Sequence, residues 1–292
     1  MKQTFYSILL LALLSGCSSE ESFQDTPEEE AVPLVISSIR IDSEVSARTS
    51  DITLREGTLG IFQTGGSFYI PAPYLYLGVG GTWTASPPLP LGPDEAFVCA
   101  WFPEDYFVPA TTDDLARFPL EAQVYNEAFD LAFLGTTGGL NKQHPSLNVR
   151  LTHAYALLNF TLKRDVTYKG AGAVTGITFD SANIVRTARM DIRNGSFSEQ
   201  EIVNSLPLEV MVTVTDDKMP TIKILVPPQI FVDLRLSLEV DGKTLSGTVS
   251  GTSIGELQSG MSRTFDVTLQ RKLDLTVSVL PVDGTVEEDI TW

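Results

Sequence analysis

The sequence has very few cysteines and histidines, which are frequent metal ligands and, for histidine, the most frequent general acid–base. It contains two cysteines, Cys17 and Cys99, and two histidines, His144 and His153, in 292 residues. No pair of these residues has the spacing of a metal site. The serine of a G-x-S-x-G nucleophile motif also needs a histidine later in the chain, and no histidine follows residue 153. We therefore expect no metal, no cofactor and no catalytic residues.

Basic residues are also scarce. Lysine and arginine number 20 against 37 aspartates and glutamates, which gives a net charge of −17 and a pI near 4.4. Nucleic acids and anionic lipid surfaces are bound through basic patches. The composition therefore excludes nucleic acid as a partner and argues against membrane adhesion through charge.

Two glycine motifs resemble functional loops but lack the necessary setting. Gly251-Thr252-Ser253-Ile254-Gly255 matches the G-x-S-x-G nucleophile pattern, which requires a strand, a sharp turn and a helix. Its neighbours look like hairpins, so a turn is expected. Gly78-Val79-Gly80-Gly81 is not followed by a helix and does not indicate a phosphate loop.

No apolar run reaches the roughly 20 residues that span a bilayer, but a shorter run opens the chain. Lys2, an apolar stretch over 5–14 and the ending Leu14-Ser15-Gly16-Cys17 indicate a secretory signal peptide over 1–16. The ending resembles a lipobox, in which the cysteine becomes the lipid-carrying first residue. We predict lipid attachment at Cys17; the alternative is a plain signal with an incidental cysteine.

The segment 17–33 is polar and acidic, and it cannot bury a core. We expect a flexible linker there. Acidic residues directly after a lipidated cysteine also resemble the export signals of surface-displayed lipoproteins, which would place the protein on the outer leaflet of the outer membrane. With Cys17 lipidated, Cys99 has no disulfide partner, and its apolar neighbours predict a buried, inert thiol.

The rest of the chain has the alternation of β-strands. In the second half, apolar residues recur with period two over 208–214, 234–240, 265–269 and 273–279. Asp241-Gly242 and Asn194-Gly195 are hairpin-turn signals. In the first half we predict strands over 34–41, 58–62, 74–79, 95–102 and 131–134. Helical periodicity is confined to 112–117 and 121–129, so the expected class is all-β sandwich.

Length suggests two domains rather than one. The mostly polar stretch 138–146, which contains two glycines and a proline, is the best boundary, which predicts an N-terminal β-sandwich over 34–145 and a C-terminal one over 146–284. Within 147–163 the apolar residues lie at odd-numbered positions before His153 and mainly at even-numbered positions after it. Either a bulge or bend lies there, or the strand is buried on both faces between the domains. His153 itself continues an apolar face, which favours a core histidine over a ligand.

Several short motifs in fixed order resemble the fimbrillin family of Mfa-like and FimA-like lipoprotein precursors. They are the following: Arg48-Thr49 before Gly60-Ile61-Phe62, Ala100-Trp101-Phe102-Pro103, Leu151-Thr152-His153-Ala154, Leu225-Val226-Pro227-Pro228-Gln229, Val240-Asp241-Gly242-Lys243, Leu257-Gln258-Ser259-Gly260-Met261 and Ile290-Thr291-Trp292. The family often has a tryptophan where this chain has Leu280-Pro281-Val282. The resemblance implies two tandem transthyretin-like β-sandwiches and the role of a pilus (fimbria) subunit or related surface adhesin.

The resemblance also implies assembly by strand exchange. A protease cuts after an arginine near the N-terminus, the first strand leaves, and the C-terminal segment of another subunit fills its place. The implied cleavage site is Arg48, with Arg40 as the rival inside strand 34–41. The tail 285–292 is the implied donor strand, and its side chains Val286, Ile290 and Trp292 share one face. The alternative is an ordinary first and last strand.

The resemblance implies three kinds of partner. Other pilus subunits, identical or homologous, bind through β-strand addition, and the outer membrane is bound through the lipid anchor. The third is a receptor on a host or bacterial surface. The alternative function is a monomeric surface lipoprotein that binds glycans or a host ligand without polymerising. Tyr74, Tyr76, Trp83 and Trp101 would then form a sugar-stacking platform, although core positions are the simpler expectation for them.

Overall fold

The computed structural model describes residues 30–42, 52–270 and 275–279. Strands dominate these residues, and helices are limited to one α-helical turn and three short 3-10 helices. The alternation of apolar and polar side chains explains much of this result, because many of the strands bury one face, whereas β-strands such as Ala96–Phe102 are buried on both. In Pro73–Val79, for example, Tyr74 and Tyr76 are buried whereas Leu75 and Leu77 are exposed.

Twelve strands precede residue 154. They are β1 (Val32–Pro33), β2 (Val35–Asp42), β3 (Ile52–Leu54), β4 (Gly57–Gly65), β5 (Pro73–Val79), β6 (Thr82–Ala85), β7 (Pro90–Leu91), β8 (Ala96–Phe102), β9 (Phe118–Glu121), β10 (Gln123–Val124), β11 (Ala132–Leu140) and β12 (Ser146–His153). The 3-10 helices lie between them at Glu104–Tyr106, Thr112–Ala116 and Glu127–Phe129. Of the two helical predictions, 112–117 is therefore confirmed as a 3-10 helix. The prediction for 121–129 is wrong over most of its length, because its first residues pair as strands.

Ten further described strands follow. They are β13 (Ala156–Arg164), β14 (Ala173–Asp191), β15 (Ser196–Thr213), β16 (Thr221–Val226), β17 (Gln229–Ile230), β18 (Asp233–Val240), β19 (Lys243–Ser250), β20 (Glu256–Leu257), β21 (Ser262–Leu269) and β22 (Leu275–Val279). The helical turn α1 (Gly251–Ile254) lies between β19 and β20. Asp241 and Gly242 have positive φ angles of 51° and 73°, and they close the predicted β18–β19 hairpin.

Eight strands of the first half form one sheet in the order β3-β2-β12-β11-β8-β4-β5-β6. Within it β2 and β12 are parallel, whereas the other described neighbours are antiparallel. Strand β2 also contacts β6 at the far end of this order, so the sheet curls around its own core. That core consists of aliphatic side chains with Tyr74, Tyr76 and Trp83.

The second half has two sheets packed face to face. One has the order β10-β16-β13-β21-β22, and the other has the order β15-β14-β18-β19 with β9 paired to β14. Between them lies a large apolar cluster in which Phe160 stacks on Phe265, with ring centroids 4.7 Å apart. This arrangement is a β-sandwich. The predicted all-β class is confirmed.

A third apolar cluster joins the two halves. It combines Trp101 and Cys99 from β8 with Met190, at the far end of β14, and Ile192, just beyond that strand. Between the halves, residues 154 and 155 form a bend that separates β12 from β13, which confirms the predicted bend near His153. Strand β12 pairs with β2 and β11, so Ser146–His153 belongs to the eight-stranded sheet. The tandem transthyretin-like domains and their boundaries, 34–145 and 146–284, stay a prediction.

Candidate functional site

The first long strand, β2, lies between two other strands. On one side it pairs in parallel with β12, from Val35 opposite Ser146 to Asp42 opposite Thr152. On the other side it pairs with β3. We call the space that residues 34–42 occupy between β12 and β3 the β2 slot. Its walls supply main-chain hydrogen bonds to any strand that lies in it.

Four side chains point from this segment into the core. Leu34, Ile36, Ile39 and Ile41 are between 0% and 5% exposed, and all belong to the core cluster of the eight-stranded sheet. Their spacing is irregular because the register against β12 shifts between Ile36 and Ser38. Ser37 is the additional residue, which makes a β-bulge. The change of parity between Ile36 and Ile39 is the sequence signal for this bulge.

A buried tyrosine anchors the start of the segment. Tyr76, on β5, donates its hydroxyl hydrogen to the Leu34 carbonyl oxygen at 3.2 Å and accepts the Leu89 amide hydrogen at 3.2 Å. The Leu34 amide in turn donates to the Leu89 carbonyl at 2.8 Å. These three bonds form a closed ring at Leu34, where the chain passes from β1, which pairs with β7, to β2, which pairs with β12. Burial raises the pKa of Tyr76 to about 12, so the hydroxyl keeps its hydrogen at neutral pH.

The structure describes one of the two predicted cleavage sites. Arg40 lies inside β2, opposite Arg150 on β12 and Thr53 on β3, and its side chain is exposed. Its main chain is thus held on both sides, as expected of a residue within a strand. Arg48 lies in the connection between β2 and β3, outside the described residues. Cleavage at either arginine stays a prediction.

The remaining predicted site residues also lie outside the described residues. Cys17 precedes residue 30, and Val286, Ile290 and Trp292 follow residue 279. Lipid attachment and the donor strand therefore stay predictions. What the structure adds is the slot, which sequence reasoning identified only as an isolated strand followed by an arginine.

The four aromatic side chains that could have bound a sugar, and the thiol of Cys99, are buried in the core. Tyr74, Tyr76, Trp83 and Trp101 are each at most 7% exposed, so they form core rather than a stacking platform. Cys99 is free and buried, and burial raises the pKa of its thiol to about 12. These positions confirm the core interpretation of the four aromatics and the burial of the thiol.

The histidine and glycine motifs are structural as well. His153 Nδ1 lies 3.0 Å from Asp130 Oδ1, and both side chains are almost completely buried. Ser253 is an exposed residue of the single turn α1, and residues 78–81 close the β5–β6 hairpin. Within 30–42, 52–270 and 275–279, no group of three His, Cys, Asp or Glu side chains could hold a metal ion.

No helix in the described part of the chain is long and apolar enough to cross a bilayer.

The chain has a β-rich fold, a curled sheet next to a β-sandwich, and solved structures of other proteins have a similar fold. A candidate cell adhesion protein from Bacteroides ovatus is 13% identical with a TM-score of 0.63, covering 89% of this chain and 100% of that one. A second, from Bacteroides uniformis, is 16% identical with a TM-score of 0.61 and the same coverages. At such identities these similarities establish the fold alone.

The family follows from the sequence. The profile of the fimbrillin-like family matches residues 58–288, which is more than half of the chain. The chain therefore belongs to the fimbrillin-like family, as its motifs predicted. None of the curated proteins with which it was compared matches it.

Proposed function

We propose that this protein is a structural subunit of a cell-surface fimbria, exported as a lipoprotein and assembled by donor-strand exchange after proteolysis. The observation that carries the proposal is the β2 slot. The strand within it is the first long one in the described chain, it lies between two other strands, and it ends shortly before Arg48. Membership of the fimbrillin-like family supports the same role.

Export and anchoring rest on the sequence. The signal over 1–16 directs the chain out of the cytoplasm, and Cys17 carries the lipid that holds it in the outer membrane. The acidic linker that follows favours display on the outer leaflet. The similar structures from Bacteroides ovatus and Bacteroides uniformis are those of candidate cell adhesion proteins, which fits a protein on the cell surface. An adhesive partner on a host or bacterial surface belongs to this proposal.

Energetics explain why cleavage alone would not empty the slot. Each of Leu34, Ile36, Ile39 and Ile41 is buried, and burial of such a side chain contributes about 1.5–3 kcal/mol. Four of them together approach the stability of an entire domain, about 5–15 kcal/mol. After a cut at Arg48 the segment would therefore stay until another strand replaces it. Cleavage removes the covalent tether, and exchange supplies the replacement.

In this proposal the β2 slot receives the C-terminal strand of another pilus subunit, and main-chain hydrogen bonds to β12 and β3 supply affinity. The tail 285–292 is the donor that this chain offers in turn, and its side chains Val286, Ile290 and Trp292 would enter apolar pockets of its acceptor. The alternative of a monomeric glycan-binding lipoprotein loses its main support, because the four aromatics proposed as a stacking platform are buried.

The test is the substitution Arg48→Ala, with Arg40→Ala as the matched control, in cells that produce the other pilus subunits. We expect Arg48→Ala to give a folded, surface-anchored protein that forms no SDS-resistant ladder, because the first strand stays tethered in its slot. Arg40→Ala should polymerise normally, since Arg40 is an exposed side chain within the strand. Wild-type ladders from Arg48→Ala together with their loss in Arg40→Ala would move the cleavage site to Arg40. Normal ladders from both variants would refute cleavage-triggered assembly.

A further inference from the structure

The pockets of the β2 slot are lined mainly by apolar side chains. The core cluster that receives Leu34, Ile36, Ile39 and Ile41 contains Leu, Ile, Val, Ala, Tyr and Trp side chains, and its polar side-chain atoms are the tyrosine hydroxyls and the Trp83 indole nitrogen. Among the described residues no lysine or arginine is buried, and the buried His153 is paired with Asp130. A carboxylate that entered one of these four pockets would lose its water and gain no cationic partner, which is unfavourable.

The slot also fixes how its occupant is placed. The ring of hydrogen bonds through Tyr76 requires a main-chain carbonyl at the position of Leu34 and a main-chain amide beside it. From that point the pockets follow β12, where Leu147, Val149 and Leu151 recur at every second residue. The present occupant follows this path with one additional residue, Ser37. A strand that replaces this segment can reach the same four pockets in two ways, either with a bulge of one additional residue or as a regular strand without it.

The tail 285–292 of a second copy fits these pockets poorly. Its sequence is Thr-Val-Glu-Glu-Asp-Ile-Thr-Trp. With Ile290 and Trp292 in the pockets of Ile39 and Ile41, a regular strand places Glu288 in the pocket of Ile36. A strand that keeps the bulge places Glu287 there instead.

Reversing the direction of the tail does not remove the conflict. With Trp292 in the pocket of Leu34 and Ile290 in that of Ile36, the pocket of Ile39 receives Glu288 from a regular strand or Glu287 from a bulged one. Both directions therefore bury a glutamate at a position where β2 has an isoleucine. Asp289 falls outside the pockets in each of these arrangements.

We infer that the β2 slot takes the strand of a different subunit, one with apolar side chains at all four pocket positions, and discriminates against the tail of a second copy of this chain. This inference rests on the proposed strand exchange. It implies that the tail of this chain serves a different acceptor, and that growth through copies of this chain alone is slow or absent.

The experiment uses the full chain after cleavage at Arg48 and eight-residue peptides. A fluorescent peptide of residues 34–41 is bound to the cleaved protein, and unlabelled competitors displace it. The competitors are peptide 34–41 itself, peptide 285–292, its Glu288→Ile and Glu287→Ile forms, and the Asp289→Ile form as a control with the same change of charge and size. The readout is the concentration that displaces half of the label.

We expect peptide 34–41 to compete best and the wild-type tail to need at least about tenfold more peptide. One of the two variants should recover most of the difference. Recovery by Glu288→Ile would show that the tail binds as a regular strand, and recovery by Glu287→Ile would show that it keeps the bulge. Asp289→Ile should remain within about twofold of the wild-type tail.

Two outcomes would overturn the inference in different ways. If the wild-type tail competes as well as peptide 34–41, or if Asp289→Ile improves binding as much as the other two, the selection against the tail is refuted while strand exchange stands. If the cleaved protein takes up no labelled 34–41 peptide and keeps its own segment against an excess of it, the slot does not exchange. Strand exchange and the inference then fail together.

Discussion

At the scale of single residues, one hydroxyl group connects three segments of the eight-stranded sheet. Tyr76 is 1% exposed and bonds both Leu34 and Leu89. Without it, a main-chain carbonyl and a main-chain amide would be buried with one fewer partner each. Such groups cost about 1–3 kcal/mol when they are left unsatisfied.

Tyr76→Phe should therefore lower the free energy of unfolding by about 1–3 kcal/mol without changing the fold. Urea denaturation monitored by circular dichroism measures the loss. Tyr69→Phe is the control, because the Tyr69 hydroxyl bonds only Thr112 in a side chain that is 40% exposed. Equal losses in the two variants would refute a special role for the ring.

A second residue-scale feature is the carboxylate of Asp241 in the β18–β19 turn. It accepts hydrogen bonds from the amides of Gly172 and Ala173 at 2.9 Å each and from the Tyr168 hydroxyl at 2.7 Å. The bond from Gly172 is the largest of the effects that lower the pKa of Asp241. A carboxyl whose folded pKa is lowered stabilises the fold above its unfolded pKa of about 3.9, and the contribution is lost as pH falls through the folded value.

Asp241→Asn should accordingly lower the urea midpoint at pH 7 and have a smaller effect near pH 3. Asparagine tolerates the positive φ of 51° at this position, so the substitution removes the charge and keeps the turn. A difference between variant and wild type that is the same at both pH values would contradict the role assigned to the charge.

At the scale of elements, the hairpin of β14 and β15 reaches from the sandwich to the eight-stranded sheet. Near its tip the Arg193 carbonyl accepts the Thr136 amide hydrogen at 2.8 Å. Asp191 holds the Arg193 guanidinium with oxygen–nitrogen distances of 2.6 and 2.8 Å. The tip lies so close to β11 that a Cβ atom on Gly135 would be 3.0 Å from the Arg193 carbonyl oxygen.

Gly135→Ala should push the hairpin tip away from β11 and lower stability by about 1–3 kcal/mol, as overpacking does. The matched control is Gly176→Ala within β14, whose added Cβ would meet its nearest neighbour, in Glu239, at an ordinary 3.5 Å. Thermal unfolding of the two variants compares them directly. A larger loss in Gly176→Ala would show that this contact does not couple the halves.

At the scale of the whole molecule, the proposed donor tail and the folded body make separate contributions. If 285–292 is a donor for another subunit, little of the monomer's core depends on it. If it is instead the last strand of its own sandwich, the loss of Val286, Ile290 and Trp292 removes about 1.5–3 kcal/mol for each side chain.

Deletion of 285–292 should therefore leave the melting temperature of the monomer nearly unchanged and stop polymer growth. Differential scanning calorimetry measures the first effect, and electrophoresis of SDS-resistant ladders measures the second. A large fall in melting temperature would contradict the donor assignment.

The local pattern of the sequence determined the class of fold and most strand positions. Alternation predicted strands at 34–41, 58–62, 74–79 and 95–102, and the structure has β2, β4, β5 and β8 there. The Asp241-Gly242 hairpin is also as predicted. These features depend on neighbours a few residues apart, and so they are legible in the sequence.

Tertiary structure decided which strands meet and what surrounds them. The parallel pairing of β2 with β12 joins segments more than a hundred residues apart, and strand alternation carries no information about such a partner. The same holds for the ring through Tyr76, the contact of Gly135 with Arg193, and the pairing of 146–153 with the first sheet. The sequence predicted that 34–41 is a strand and that Arg48 follows it. Only the packing of distant strands made that strand's place an apolar slot with two hydrogen-bonding walls.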